Sequence, residues 1–558
     1  MAVRKYNEDK NICSNRKVNV EKMKMKRKTM AISIVFFVSF VICITLRWSQ
    51  VTEFWHKLQR DTVEENESVI QLKVYLVSPQ SHGDNIYRYT DYALGEFMSI
   101  QTAYGEEGYI YKTMLEEYQR ENEVELDIEY FDYSDDLDAQ LVRDLKNGTL
   151  PDLIIENSIN YNDAYALLDA DILLDLSSYV EEDGLYDNDE YYNEVLRAGQ
   201  YQGQQMILPL SFNMSTIMSS KESLSRYNID LSEADLQEML VQFAGQANRM
   251  QQGDAAQELL AQFVSPSGDF PIFMLLAAGG GALVDYEEKT VELDQEFYKY
   301  VAEFYKQFAR QEMGSLEAVI EQGTQLGLAG SVHDQRMGTA MRFQDLYRTT
   351  AAFIEGGSCG NTFIHSFAAQ ANYYESAYTD VGEEFCLYGI PTYNNGNEYT
   401  PMITSYGAVM VDTKHPKEAY DFLKYMMDQP YFMHFDLSVN RSATEQMLNE
   451  LCNTTYEIIQ MRGYFDIPDL ELATDYEMKP MSEETEEMIV YLLDHMGEAT
   501  LNNCPVFWKV QENMLMYVIG ECSLEESYQA CLVDLHEYLN TFSFEGQMAD
   551  GFGFDYSE

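Results

Sequence analysis

At 558 residues, with 46% apolar and 13% aromatic side chains, the chain exceeds one typical domain and can bury a large core, which excludes a mainly disordered protein. Its formal net charge of −56 argues against nucleic acid as a partner, since binding a phosphate backbone requires cations that displace condensed counterions. The charge is uneven: residues 1–29 hold 10 Lys/Arg against Glu8, Asp9 and Glu21, which leaves 27 basic and 90 acidic residues beyond them.

Residues 30–46 (MAISIVFFVSFVICITL) form the one long apolar run, preceded by Lys26, Arg27 and Lys28 and followed by Arg47 and Trp48. That length suits a spanning helix, and the sequence around Cys43 lacks the small residues of a cleavage or lipidation site. An uncleaved transmembrane anchor is expected, with residues 1–29 a cytoplasmic basic leader and everything after Trp48 extracellular. Residues 47–68 read as a polar stalk.

Beyond the stalk, Ile70 to Val77 (IQLKVYLV) has the β-branched, mainly apolar character of a buried parallel strand. Residues 78–108 show no sustained period and read as an inserted loop. Tyr111, Met114, Leu115 and Tyr118 recur at helical spacing, and Val124 to Phe131 (VELDIEYF) alternates as a strand. A helix through Leu137, Leu141 and Leu145 is stopped by Asn147-Gly148, after which Pro151-Asp152 leads into a third strand at Leu153-Ile154-Ile155. This alternation predicts an α/β fold with a parallel sheet, whose strand ends form a ligand crevice.

Farther along, Phe297 to Phe308 reads as a helix, and Phe385 to Ile390 and Ala408 to Val411 as strands. Ala419, Phe422, Leu423 and Met426 mark a helix face after Pro416. Ser523 and Glu526 fit a capping box ahead of a helix carrying Tyr528, Cys531, Leu532 and Leu535. Residues 546–558 read as an acidic tail.

The eight cysteines include no CxxC pair in the outer part, and the eight histidines form no HExxH or comparable signature. Acidic turns such as Asp132, Asp135, Asp136 and Asp138 do not complete a calcium loop. Gly279-Gly280-Gly281 lacks the GxxxxGK[ST] of a phosphate loop and reads as a turn. No catalytic residue, metal or cofactor is expected.

Several segments, in order, resemble the extracellular solute-binding proteins of carbohydrate ABC transporters, a family that includes maltodextrin-binding receptors. Leu145 to Ile154 (LKNGTLPDLI) resembles the family's helix, turn and third strand, and Leu173 to Tyr179 (LLDLSSY) its following stretch. Gln204 to Leu210 (QQMILPL), with Lys221 downstream, is similar to the passage where the chain first crosses between lobes, although Ser219-Ser220 stand where Tyr-Asn is usual. Ala277 to Asp285 (AAGGGALVD), Tyr388 to Thr392 (YGIPT), Tyr406 to Val409 (YGAV) and Lys414 to Leu423 (KHPKEAYDFL) complete the series.

The resemblance implies a two-lobe periplasmic-binding-protein fold with hinge crossovers, preceded by one transmembrane helix. Lobe 1 is expected from 69–210 and 408–435, and lobe 2 from 211–407 and 436–545. It further implies a monomer that captures a small-molecule carbohydrate in an interlobe cleft and delivers it to an ABC transporter permease. Sugar recognition needs aromatic faces and planar polar groups. The expected ligand-binding residues are Ser78 at the end of the first strand, Glu156 and Asn157 at the end of the third, Phe212 and Asn213 at the first crossover, Phe270, Phe363, and Tyr406 at the return crossover. A ligand-sensing or adhesive ectodomain and a two-carboxylate glycoside hydrolase are the alternatives.

Overall fold

The computed structural model describes residues 69–77, 115–131, 134–157, 164–187, 189–250, 275–279, 283–307, 315–319, 364–367, 371–380, 382–393, 395–396, 398–429, 436–453, 456–458, 476–501 and 503–544. The expected anchor at 30–46, the inserted loop at 78–108 and the acidic tail at 546–558 lie outside the described residues, as do Ser78, Phe270 and Phe363. Among the described residues, no helix is long and apolar enough to cross a membrane.

Strand β1 (Ile70–Val77) pairs in parallel with β2 (Val124–Phe131) on one side and with β3 (Leu153–Asn157) on the other. Between β2 and β3 runs helix α1 (Ser134–Asn147), so the strand–helix–strand alternation read from the sequence builds a parallel sheet edge. Leu72, Val74, Tyr75 and Leu76 of β1 and Leu153, Ile154 and Ile155 of β3 are buried, whereas β2 alternates buried or half-buried apolar residues with exposed Glu125, Asp127 and Glu129. The difference follows position, since β2 is an edge strand. Helix α1 ends where the sequence signalled: Gly148 takes φ +66°, and Thr149 N–H donates to the Asp144 carbonyl at 3.0 Å.

The long strand β4 (Leu208–Ser220) is buried at all 13 positions. Strands β5 (Ile364–Phe367) and β6 (Phe385–Gly389) pair antiparallel with its C-terminal half, residues 215–220. Strand β7 (Pro401–Val409) pairs antiparallel with its N-terminal half, and β7 in turn joins β3 antiparallel, so that Tyr406 lies opposite Glu156. The short β8 (Leu437–Ser438) pairs with β4 at Phe212 and Ser211. The eight strands form one sheet along the path β6-β4-β7-β3-β1-β2, with β5 and β8 also paired to β4 off that path. Strand β4 thus belongs to both halves of the sheet, and the expected lobe boundaries at 210 and 407 fall inside β4 and β7.

The strand expected at 408–411 is the end of a longer one. Strand β7 begins at Pro401, and Val411 lies exposed in a turn beyond it. The stretch Thr404-Ser405-Tyr406 breaks the apolar pattern of a buried strand, and only partners elsewhere in the fold make its burial tolerable.

Helix α2 (Gln295–Gln307) packs against α5 (Cys504–Val518) and α6 (Leu524–Thr541). Helix α6 carries the full capping box, with Ser523 and Glu526 each bonded to the other's backbone N–H. Helix α3 (Pro416–Met427) starts with Pro at its first position and buries Ala419, Tyr420, Phe422, Leu423, Met426 and Met427, and it is followed by α4 (Arg441–Asn453) across β8. Helix α3 lies against β7 because Gly407 has no side chain: a Cβ there would overlap Leu423 Cδ2 and stand 3.0 Å from Leu423 Cδ1, and Leu423 is fully buried.

Gly407→Ala is therefore expected to cost about 1–3 kcal/mol by overpacking. In a urea-denaturation double-mutant cycle, Leu423→Ala should restore part of that loss, whereas strictly additive effects would show that the two residues do not share the space.

Candidate functional site

Side chains on a strand alternate faces, so Ser211 and Asn213 share one face of β4 while Phe212 looks the other way. Phe212 is fully buried and meets Tyr192 edge-on at 5.3 Å between ring centroids, and the Arg441 guanidinium lies 4.1 Å from the centroid of the same Tyr192 ring. Asn213 Nδ2 donates to Asp436 Oδ1 at 3.2 Å, just before β8. Both residues are buried.

Three passages of the chain meet here: β4, β7 and the connection through Asp436 to Asn440. Ser211 Oγ lies 2.8 Å from Thr404 Oγ1 and 2.7 Å from Ser405 Oγ, all three hydroxyls being buried. Thr404 also bonds the Asp436 carboxylate. Consecutive residues of a regular strand could not both face Ser211. They do so because the β4–β7 register slips between Ile403 and Tyr406, forming a bulge that re-aims the Thr404 side chain.

Beyond β8, Ser438 Oγ donates to the Met427 carbonyl at 2.9 Å. Asn440 caps α4 by accepting from Ala443 N–H at 3.1 Å, while its Nδ2 donates to Asp428 at 2.9 Å. Asp428 also accepts from Tyr191 at 2.8 Å and pairs with Lys424. The third connection is thereby tied to the end of α3.

At the tip of β3, Glu156 Oε2 accepts from the Tyr406 hydroxyl at 2.7 Å, and both residues are almost fully buried. A hydrogen bond of this kind, in a low-dielectric setting, holds a carboxyl group and an aromatic ring together where β3 meets the crossing strand. Asn157, the last residue of β3, lies opposite Ser405.

Of the residues singled out in the sequence, the structure brings Glu156 and Tyr406 into direct contact and sets Asn157 beside them in register. It places Phe212 in the packed core and Asn213 in the polar crossing. Sequence reasoning passed over Ser211, Thr404, Ser405 and Asp436. A run of small hydroxyl residues inside otherwise apolar stretches (LPLSFNMST and PMITSYGAV) was the available signal, and it carries no helical or strand period of its own. Among the described residues, no group of three or more His, Cys, Asp or Glu is placed to hold a metal ion, and Cys386, Cys452, Cys522 and Cys531 are free thiols.

Burial pushes the Asp436 carboxyl up to about 7 from the usual 3.8, against the opposing pull of its bonds from Asn213 and Thr404. A carboxyl raised in the folded state binds its proton more tightly there than in the unfolded chain, so stability falls as pH rises from about 4 to about 7 and is flat beyond. The span corresponds to a cost on the order of 4 kcal/mol. Urea titrations at pH 4.5, 6 and 8 should show this decline in the native protein and a smaller one in Asp436→Asn. Equal slopes in the two proteins would show that Asp436 is not the group responsible.

The comparisons with known proteins agree with this architecture. A family model described as bacterial extracellular solute-binding protein matches residues 113–436, more than half of the chain. No match was found among curated protein sequences. Among solved structures, the sugar-binding protein MalE from the phytopathogen Xanthomonas citri superposes with a TM-score of 0.53 at 12% identity, over 87% of this chain and 100% of that one. The galacto-N-biose-/lacto-N-biose I-binding protein of the ABC transporter from Bifidobacterium longum gives 0.49 at 15% identity, over 86% and 100%. At such identity the MalE likeness is one of fold, the two-lobe α/β arrangement joined by crossing strands. The chain belongs to the bacterial extracellular solute-binding protein family.

Proposed function

We propose that the chain is a membrane-anchored extracellular receptor that captures a sugar or short oligosaccharide between its two lobes and hands it to an ABC transporter permease. The observation that carries this reading is the meeting of three interlobe passages, β4, β7 and residues 436–440, beside the strand tip that bears Glu156 and Tyr406. In open α/β sheets ligands bind outside the carboxyl ends of the strands, and β3 ends there. Family membership supports solute binding, and the fold shared with a sugar-binding protein supports a carbohydrate as the solute.

In this reading Glu156, Asn157 and Tyr406 form the polar floor of the cleft, Ser78 flanks it at the end of β1, and Phe270 and Phe363 supply stacking faces. Phe212 and Asn213 serve the hinge rather than the solute. The lobes comprise 69–210 with 408–435 and 211–407 with 436–545. The apolar segment 30–46, with Lys26, Arg27 and Lys28 on its cytoplasmic side, holds the receptor at the membrane.

A ligand that binds only the folded state raises the melting temperature, by the equivalent of about 2.7 kcal/mol at a hundredfold excess over Kd. Differential scanning fluorimetry of the full chain against a panel of mono- and oligosaccharides should yield at least one stabilising sugar that is recovered unchanged. A flat response across the panel, or consumption of the sugar, would refute the proposal. With that sugar in hand, Phe363→Ala should weaken binding by about 1–3 kcal/mol in isothermal titration. If instead the variant lowers the ligand-free melting temperature and leaves affinity alone, Phe363 belongs to the core.

A further inference from the structure

The buried polar groups at the strand crossing form a line, not a cluster. Ser405 Oγ meets Ser211 Oγ, Ser211 Oγ meets Thr404 Oγ1, and Thr404 meets the Asp436 carboxyl, with Asn213 Nδ2 on Asp436 Oδ1. Each hydroxyl owns one proton, and this fixes the direction of the bonds. When Asp436 is ionised it can only accept, so Thr404 donates to it, Ser211 donates to Thr404 and Ser405 donates to Ser211. When Asp436 carries a proton, that proton can go to Thr404, the Thr404 proton to Ser211 and the Ser211 proton to Ser405.

The bonds along the line persist in both polarities, and the change between them requires only rotation of three hydroxyls. What differs is the far end. In the second polarity the Ser405 proton leaves the line and is available at the tip of β3, where Ser405 lies opposite Asn157 and the next residue, Tyr406, holds Glu156. The β7 bulge is what closes the line, since without it Thr404 and Ser405 could not both reach Ser211.

Among the described residues, the side chains that bond Asp436 are uncharged. Asn213 and Ser211 face the crossing from β4 and Thr404 from β7, and no charged side chain among the described residues acts on the carboxyl. Asp428, the nearest acidic group back along the connection, is engaged by Lys424, Tyr191 and Asn440.

We propose that Asp436, Thr404, Ser211 and Ser405 form a reversible hydroxyl relay through which one proton on the third interlobe connection resets the hydrogen bonding at the strand tips, so that hinge opening depends on external pH. The relay rests on the two-lobe receptor reading but not on the identity of the solute. Its direction follows from solvation: a buried anion gains most when the hinge opens to water, so high pH favours opening and low pH favours the closed crossing.

Hydrogen-exchange mass spectrometry of the full chain at pH 5.5 and 8, without added sugar and corrected for the intrinsic exchange rate, tests this. Peptides covering β4, β7 and the β3 tip should exchange on the order of thirtyfold faster at pH 8, the ratio expected between pH 5.5 and 8 for a carboxyl at about 7 in the closed crossing and at its usual 3.8 when hydrated. Asp436→Asn should abolish the dependence; if that variant fails to fold, Thr404→Val should lose it at the β3 tip while keeping it at residues 436–440. Ser211→Ala should keep the pH dependence at residues 436–440 and lose it at the β3 tip. A native protein with no pH dependence, an Asp436→Asn variant that retains it, or a Thr404→Val or Ser211→Ala variant whose β3 tip still responds would each overturn the relay. Because no sugar is present, failure here leaves the fluorimetry screen to decide the receptor function separately.

Discussion

The fold depends on how polar groups are satisfied where the chain crosses from one half of the sheet to the other. Strand β4 is buried along its whole length yet carries Ser211, Asn213, Ser215, Thr216, Ser219 and Ser220. A buried hydroxyl or amide without a partner costs about 1–3 kcal/mol, so a strand of this composition is stable only when its neighbours supply matching groups. Strand β7 supplies Thr404 and Ser405, and the residue before β8 supplies Asp436. The three passages are mutually dependent, each buried because the other two are there.

Outside the crossing, the same rule explains a chain with 42 Tyr and 93 acidic residues. Many tyrosines bury the ring and direct the hydroxyl to a carboxylate: Tyr75 to Asp144, Tyr191 to Asp428, Tyr420 to Asp183 and Tyr517 to Glu303. A tyrosine of this kind adds apolar burial and a charge-assisted bond in one side chain. Burial and the adjacent carboxylate both oppose ionisation, and the hydroxyls of Tyr75, Tyr191, Tyr420 and Tyr517 are raised well above their ordinary range. The acidic surplus, read from the sequence as arguing against a nucleic-acid partner, also serves inside the fold as a store of acceptors. Ion pairs contribute less, since pairs such as Lys221 with Glu384 and Lys417 with Asp421 are exposed and screened.

In the proposed receptor reading, in which the lobes close on a solute, this division has a mechanical consequence. Around α3, β7, β1 and β3 the contacts are mainly apolar, while the crossing is held by directional hydrogen bonds among small side chains. Hydrogen bonds can be re-formed with water at little net cost, whereas apolar packing cannot be opened without exposing surface. Bending is thereby concentrated where the polar groups lie. The strand tip with Glu156 and Tyr406 stands immediately beside that point, so in this reading a bend at the crossing would reach the proposed cleft floor through adjacent residues of β7.

The sequence by itself determined the elements whose stability is local. The apolar run of β1, the alternation of β2, the Gly148 stop of α1, the Pro416 start of α3 and the Ser523 capping box all depend on residues within a few positions of one another, and each appears where the pattern put it. The tertiary structure alone decided the crossing. Whether Thr404-Ser405 is a loop or the middle of a buried strand turns on Ser211 and Asp436, residues far away in the chain. Asp436 in isolation is an ordinary acidic residue, and only the loss of water around it, once β4, β7 and β8 assemble, raises its carboxyl toward neutrality. Local propensity records what a segment prefers in water, while the cost of leaving water is set by partners that the fold brings together.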